Sequence, residues 1–533
     1  MRYADDPHAI QPKESAAACV ADRAETSPFA SQLSVVVLGC SILLLAAGWL
    51  WVVLSTPGFF ADESSIALNA WLIATTGADE HGVRWPLYFR AFGEWKNPPL
   101  IYLLTGVFRV VGPSIVAARV TSLACVLAAV VAAALFSYRL GGRSAALPAA
   151  ALAISFPWWI DLSRLVFEVA LNPLATVLLA WSTWEAGRVR RFSPGRGLFL
   201  GASLALMTYV YTTGRMLGPV AALLVALLLS KRGKWWNFTV IGGLVSYAIA
   251  SIPILVFSMT NQGALTSRFR GLRAAADDTT AAGVIVRAIS EANLAFWLVD
   301  GDPISRHHLS GMGTIAVGMA MLILCGLIAA WSRRHDDRWY LFIVLFTPLA
   351  IVPCALTPNI HHALRLSTYG TLLLVLAITG WIYFSGRLRS WIQILLLSTI
   401  VGQGFWYAWS VASFTGRTND FDVSLQQALA SALDLGETIW IESSEWSSML
   451  VHARWYAVAW RLEPDRIRIE NVELMPQGAA VLTHASRSGG WPLVLERSGW
   501  TVRRQITAAL TLPDSAHSSD FDRTSNTTGA ETE

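Results

Sequence analysis

The chain has 533 residues and a formal net charge of +4, but only 14% of its residues are charged while 54% are hydrophobic, and its mean hydropathy is +0.48. A soluble domain is about a quarter charged and just under half apolar, so water is not the main solvent of this protein. The small net charge makes no electrostatic case for nucleic acid as a partner. Four of the five cysteines (Cys40, Cys125, Cys325 and Cys354) lie in apolar stretches without metal-ligand spacing, so no disulfides are expected.

Taken in chain order, residues 1–30 are polar and mixed in charge, unlike a cleaved signal peptide, and predict a disordered cytoplasmic tail before a retained span. A helix needs about 20 apolar residues to cross the hydrocarbon core. Eleven charge-poor intervals of that order follow: 33–54, 116–138, 145–160, 169–184, 198–213, 217–230, 238–258, 311–331, 340–357, 366–384 and 391–411, the third to sixth being short. Tryptophans such as Trp49, Trp158, Trp159, Trp235, Trp236 and Trp331 mark the ends of these runs, as indole rings do at membrane interfaces. With the N-terminus inside, the loops 139–143, 188–196, 231–234, 333–338 and 387–389 become cytoplasmic, and all are dense in Lys and Arg. Three long segments then face outward: 55–114, 260–310 and everything from 415. In the last, ETIWIES, RIRIENV and AAVLTHA read as strands between helical patterns at 424–435 and 447–460. A small extracytoplasmic α/β domain over 415–512 is expected, followed by a disordered tail at 513–533. No repeat of 20 to 50 residues is visible.

The first outer segment opens with Asp62 and Glu63 immediately after a membrane exit. Partial desolvation there raises carboxylate basicity, which suits a base; the competing reading has Asp62 simply capping the helix SSIALNAWLIATT. Glu94 and Lys96 precede Pro98 and Pro99, whose fixed φ could return the chain rigidly to the membrane beside the acidic pair, although an exposed ion pair explains them as well. Arg215 falls at a tight outer turn between short spans, where a lipid phosphate is a sensible partner and snorkelling to headgroups is the alternative. Arg306 and Arg365 stand at similar outer boundaries. The pairs His307-His308 and His361-His362 contain metal-ligating side chains, but adjacent histidines point apart, which favours interfacial packing. Segment 284–299 reads as an interfacial helix over a donor groove, or as a plain surface helix.

An Asp-Glu pair beyond the first span, an amphipathic helix, then an acidic and Lys stretch running into Pro-Pro and YLL together resemble the first outer loop of the GT-C membrane glycosyltransferases. Within that superfamily the chain is most similar to the bacterial protein O-mannosyltransferase and lipid A aminoarabinose transferase families. LSRLVFEVALNPL, YVYTTGRMLGP, GDPISRHHLSG and HHALR extend the similarity over most of the membrane region. The resemblance implies a mainly α, polytopic GT-C fold of about 11 transmembrane helices in the plasma (inner) membrane. It implies an inverting transfer of a sugar from a polyprenyl-phosphate donor to a lipid, glycan or protein acceptor outside the cytoplasm. By the same resemblance Asp62 is the general base, Glu63 and Glu94 orient acceptor or metal, and Lys96 binds the donor phosphate with Arg215, Arg306 and Arg365. A carboxylate would take the acceptor proton as the sugar carbon develops oxocarbenium character, and a cation would stabilise the leaving phosphate.

Two positions depart from the family pattern. Trp95 separates Glu94 from Lys96, which the aminoarabinose transferases place side by side, and Asn172 stands where they carry an acidic residue before the proline of the second outer loop. Asp161 and Glu168 are nearby substitutes or mere helix ends facing water. The chemistry allows a divalent metal, for which the sequence presents no clear ligand set. No phosphate-loop, HExxH or GxGxxG pattern occurs, in keeping with a donor that arrives through the bilayer. A transporter or flippase of lipid-linked saccharides and a non-catalytic membrane scaffold are the rival classes; paired halves and broken helices, common in transporters, are not evident.

Overall fold

A computed structural model describes residues 32–504 except 190, 233–234, 275–279, 359–360, 415–422, 444, 446, 464–465, 485–492 and 498–499; the tails expected at 1–30 and 513–533 lie outside it. The chain divides into two compact units, 1–421 and 422–533.

The first unit is a helical bundle, and every one of the eleven apolar intervals contains helix. Six helices among the described residues are long and apolar enough to cross a membrane: Val35–Ser55, Ile115–Gly141, Phe238–Thr260, Arg338–Ala355, Ser367–Arg387 and Ser390–Ser413. A seventh arises if Arg143–Ile154 and Pro157–Arg164, bent by 61° at their junction, form one span. The proline at the start of the second piece cannot extend the ladder of the first, which explains the bend. Asn172–Arg188, Pro194–Val210, Gly214–Leu229 and Val317–Arg333 are shorter, with 16 or 17 residues each. The intervals behind the expectation of about 11 spans thus hold six or seven long helices and four shorter ones.

Helix Ser367–Phe384 is buried along nearly its whole length, because small residues let its neighbour approach. A Cβ on Gly326 would lie 1.9 Å from the Leu376 carbonyl oxygen, and one on Gly380 would lie 2.1 Å from that of Leu322. Such close backbone contact supplies the dispersion that holds helices together where lipid already solvates apolar groups. Polar side chains pair inside the bundle: Asn172 Nδ2 donates to Ser367 Oγ at 2.6 Å and Thr368 Oγ1 at 2.9 Å, and Trp159 Nε1 to Thr371 Oγ1 at 3.2 Å. Outward, Gln32–Ser55 and Phe238–Thr260 expose Leu43, Leu44, Val245, Ile249 and Met259, an inside-out pattern suited to hydrocarbon.

The loop after the first span builds the platform for the site. Helix α1 (Ala61–Thr76) is capped at Phe60, whose backbone N–H donates to Glu63 Oε2 at 2.9 Å. Glu63, not Asp62, therefore closes the first turn. Strands β1 (Phe89–Ala91) and β2 (Glu94–Lys96) pair antiparallel through a two-residue turn, Phe92 and Gly93, with φ of 49° and 75°. Positive φ at both central residues is the turn whose twist matches a hairpin, and Gly93 adopts it without steric cost. Pro98 and Pro99 then open helix α2 (Pro98–Val111), where a missing N–H is harmless.

The second unit carries a five-stranded mixed sheet. Ile439–Glu442 pairs in parallel with Ile467–Glu470 and Ala480–His484, and the latter pairs antiparallel with Trp500–Arg504, which pairs in turn with Leu493–Arg497. Helices Val423–Leu433 and Ser447–Ala459 complete the α/β unit. The last two strands are additional to the three read from sequence.

Candidate active site

Because successive side chains on a strand point to opposite faces, Glu94 and Lys96 share one face of β2 while Trp95 occupies the other. Trp95 packs edge-on against Phe257 with centroids 5.1 Å apart. The ammonium of Lys96 is ion-paired to Asp62 Oδ1 and lies 3.8 Å from Glu94 Oε1. Its side chain is 3% exposed, against 31% for Asp62 and 27% for Glu94. Glu168, ahead of a short turn at Glu168–Leu171, joins them by accepting the Asn97 backbone N–H on Oε1 at 2.8 Å.

Burial opposes the Lys96 charge, but the carboxylates of Asp62, Glu168 and Glu94 outweigh it and hold its pKa above the ordinary lysine value. Burial raises the Glu168 pKa, with Lys96 pulling the other way. Tyr211, in the turn before Gly214–Leu229, has its phenol pKa raised by burial first; Arg365 opposes that shift, and Glu168, Glu94 and Asp62 add to it. Its hydroxyl thus lies within electrostatic reach of both the carboxylates and Arg365. The sequence reading singled out neither Tyr211 nor its place here; its only signal was the short YVYTTGR turn beside Arg215.

The other expected residues are placed differently. Glu63 is fully buried and committed to structure: besides Phe60 it accepts the Val166 N–H on Oε1 at 2.9 Å and lies 3.6 Å from Arg119 Nη2. Arg119 also donates to the carbonyls of Thr56 and Gly58 at 2.5 and 2.7 Å. Arg215 donates to the carbonyls of Leu265 at 3.1 Å and Trp95 at 2.8 Å and to Asn97 Oδ1, with its guanidinium 4.9 Å from the Tyr88 ring centre. It holds the strand that carries Lys96 from behind. Asn172 is tied to Ser367 and Thr368 inside the bundle. Asp161, instead of facing water, is buried and bonded to His308, Tyr407 and Arg164.

A second cluster borders the first. Arg306 stacks over Phe60 at 3.7 Å, two residues before Asp62, and Phe167 bridges Phe60 and His307 with centroid distances of 6.4 and 6.5 Å. Arg365 Nη1 donates to Thr357 Oγ1 at 2.8 Å. The four histidines do point apart within each pair, but His307, His308 and His362 are buried, not packed at an interface. Segment 284–299 overlaps helix Ala281–Ser290, which exposes Ile285, Val286 and Ile289 while Arg287 Nε donates inward to Ala355 O at 2.7 Å. That inverted polarity suits a helix lying against lipid.

No protein-family model and no curated protein sequence matches the chain. Among solved structures, ArnT from Cupriavidus metallidurans bound to undecaprenyl phosphate is similar at TM-score 0.59 and 12% identity, covering 91% of this chain and 100% of that one. Its apo state gives TM-score 0.56 at 12% identity, with 90% and 99% covered. An Archaeoglobus fulgidus oligosaccharyltransferase, in complex with Zn and sulfate, gives TM-score 0.48 at 12% identity over 81% of this chain and 62% of that one. Identity this low speaks for architecture alone, and with its apolar helices the chain is a multi-pass membrane protein of the GT-C fold.

Proposed function

We propose that the protein is an inverting glycosyltransferase that takes its sugar from a polyprenyl phosphate and works on the extracytoplasmic side of the inner membrane. The observation that carries this reading is the Lys96 ammonium, buried yet held fully charged by Asp62, Glu94 and Glu168. A preorganised, dehydrated cation of this kind is suited to a leaving group whose charge grows in the transition state. The structurally similar ArnT holds undecaprenyl phosphate, which supports a lipid phosphate as the carrier.

In the proposed reaction the donor phosphate takes over Lys96, and Asp62 loses that partner as the acceptor arrives. Asp62 accepts the acceptor's proton while the new bond forms at the anomeric carbon from the face opposite the phosphate. The bond from that carbon to the phosphate oxygen breaks, its electron pair stays on the polyprenyl phosphate, and the anomeric configuration inverts. Glu94 orients the acceptor, and Arg306 and Arg365 contribute positive field. Arg215 acts as a positioning residue through Trp95 and Asn97, and Glu63 through Phe60 and Val166. The acceptor is a hydroxyl or amine of a lipid, glycan or protein.

Transfer of radiolabelled sugar from a panel of polyprenyl-phosphate sugars to membrane acceptors tests the reading. Label moved by the wild type and lost in Asp62→Asn is the expected result. No transfer from any donor to any acceptor, despite donor binding, would overturn it.

A further inference from the structure

Three of the four histidines have carboxylate partners. His308 Nδ1 lies 2.6 Å from Asp161 Oδ2, and its Nε2 is 2.6 Å from the Met312 carbonyl, which requires it to donate. His361 Nδ1 lies 3.1 Å from Glu291 Oε2. His307 Nδ1 is 3.3 Å from Asp302 Oδ2, longer than a strong charge-assisted bond. His362 differs, because its Nδ1 is buried and has no hydrogen-bond partner among the described residues. Its ring lies beside that of His307, centroids 4.7 Å apart. One ligand atom each from Asp302, His307 and His362 fall within 4.8 Å of one another, and all three residues are buried.

We propose that Asp302, His307 and His362 bind one divalent first-row cation, with a coordination position left open for an oxygen of the donor phosphate. The plain alternative is a hydrogen-bonded core cluster, which leaves a buried imidazole nitrogen unpaired at a cost that a cation removes. Two imidazoles and one carboxylate form a borderline-soft donor set with too few protein ligands to close a tetrahedral site. The carboxylate is already oriented: the backbone N–H of Ile304 donates to its Oδ1 at 2.8 Å and that of Ala363 to its Oδ2 at 2.7 Å. Supporting bonds of this kind fix first-row ligands in known sites. Metal–ligand bonds of about 2.1 Å place tetrahedral donors roughly 3.4 Å apart, so the two rings must draw inward by about an ångström on loading.

The charge balance points to the open position's occupant. Arg306 and Arg365 both act electrostatically on His307 and His362; Arg164 and Asp161 also act on His307, but they are paired with each other and nearly cancel. One carboxylate does not offset a dication beside two guanidiniums, so the cation is held firmly only with a further anion. A phosphate supplies that anion; Arg306 stacks over Phe60, two residues before Asp62 of the Asp62–Lys96 pair. Metal and polyprenyl phosphate should then each strengthen the other's binding by the same factor. The metal site stands on its own geometry; only the identity of the linked anion rests on the proposed function.

The test uses purified full-length protein, stripped with chelator and titrated with Co2+ while visible absorption and total metal are measured. One Co2+ per chain, displaced by Zn2+, is expected, with affinity falling about tenfold or more in Asp302→Asn, His307→Gln and His362→Gln and unchanged in His361→Gln. Cu2+ bound to the unmodified protein should show couplings to two imidazole nitrogens by electron paramagnetic resonance, a readout that survives any variant's failure to fold. Adding polyprenyl phosphate should tighten Co2+ binding. Absence of stoichiometric binding, or couplings to fewer than two imidazoles, would overturn the site, and Co2+ affinity indifferent to polyprenyl phosphate would overturn the linkage. Metal bound at these residues with no sugar transferred would keep the site and defeat the glycosyltransferase reading instead.

Discussion

Asp62 and Glu63 are neighbours with opposite fates. Glu63 is enclosed by Phe60, Val166 and Arg119, whereas Asp62 remains partly exposed against Lys96. Breaking a buried pair strands its partner's charge, so Glu63→Ala should cost about 3 kcal/mol or more in stability, seen as a lowered Tm in detergent. Asp62→Asn should abolish transfer while lowering Tm less than Glu63→Ala, because Glu94 and Glu168 still face the Lys96 charge. For Lys96 the pKa is raised above 10.5, so its charge and the stability it contributes are complete below that value and lost only as pH climbs through the higher folded value. Polyprenyl-phosphate binding by the wild type should therefore stay flat from neutral pH to about 10. Asp62→Asn removes the largest charge supporting Lys96, so in that variant binding should decline at lower pH; equal profiles would show that the pair is not coupled.

The sequence placed Asp62, Glu94 and Lys96 together because one loop carries all three between recognisable landmarks. It offered Glu168 only as a substitute for the acidic residue that Asn172 replaces and did not place Tyr211 at all, since both arrive from segments whose approach depends on helix packing and leaves no mark in spacing. The separation of Glu94 from Lys96 by Trp95 departs from the adjacent pair of the aminoarabinose transferases. On a strand it is the spacing that puts both side chains on one face. Deleting Trp95 would make Glu and Lys adjacent, as in the aminoarabinose transferases, but would turn Lys96 to the opposite face. Loss of transfer is expected from the deletion, together with normal membrane insertion; full activity would show that the hairpin register does not matter.

The eleven apolar intervals were legible because hydrocarbon excludes charge, a constraint written along the chain itself. The division of those intervals into long, bent and short helices was not, because it depends on breaks such as that at Ser155–Phe156 and on contacts such as Gly326 with Leu376. Gly326→Leu should leave insertion intact but broaden or shift the size-exclusion peak, since overpacking there costs at least about 1–3 kcal/mol. Every candidate site residue lies in the unit 1–421. A chain ending at 421 is accordingly expected to retain polyprenyl-phosphate binding, measured by quenching of intrinsic tryptophan fluorescence.

The clamp made by Arg215 also bears on engineering. A single guanidinium ties the β2 strand and Asn97 of the first outer loop to Leu265 of the second, from the first turn of helix Gly214–Leu229. The loop bearing Lys96 is therefore not a cassette. Residues 55–114 grafted alone into a related scaffold would arrive without the fastening that aims the lysine, and a working chimera must carry three distant stretches of chain at once.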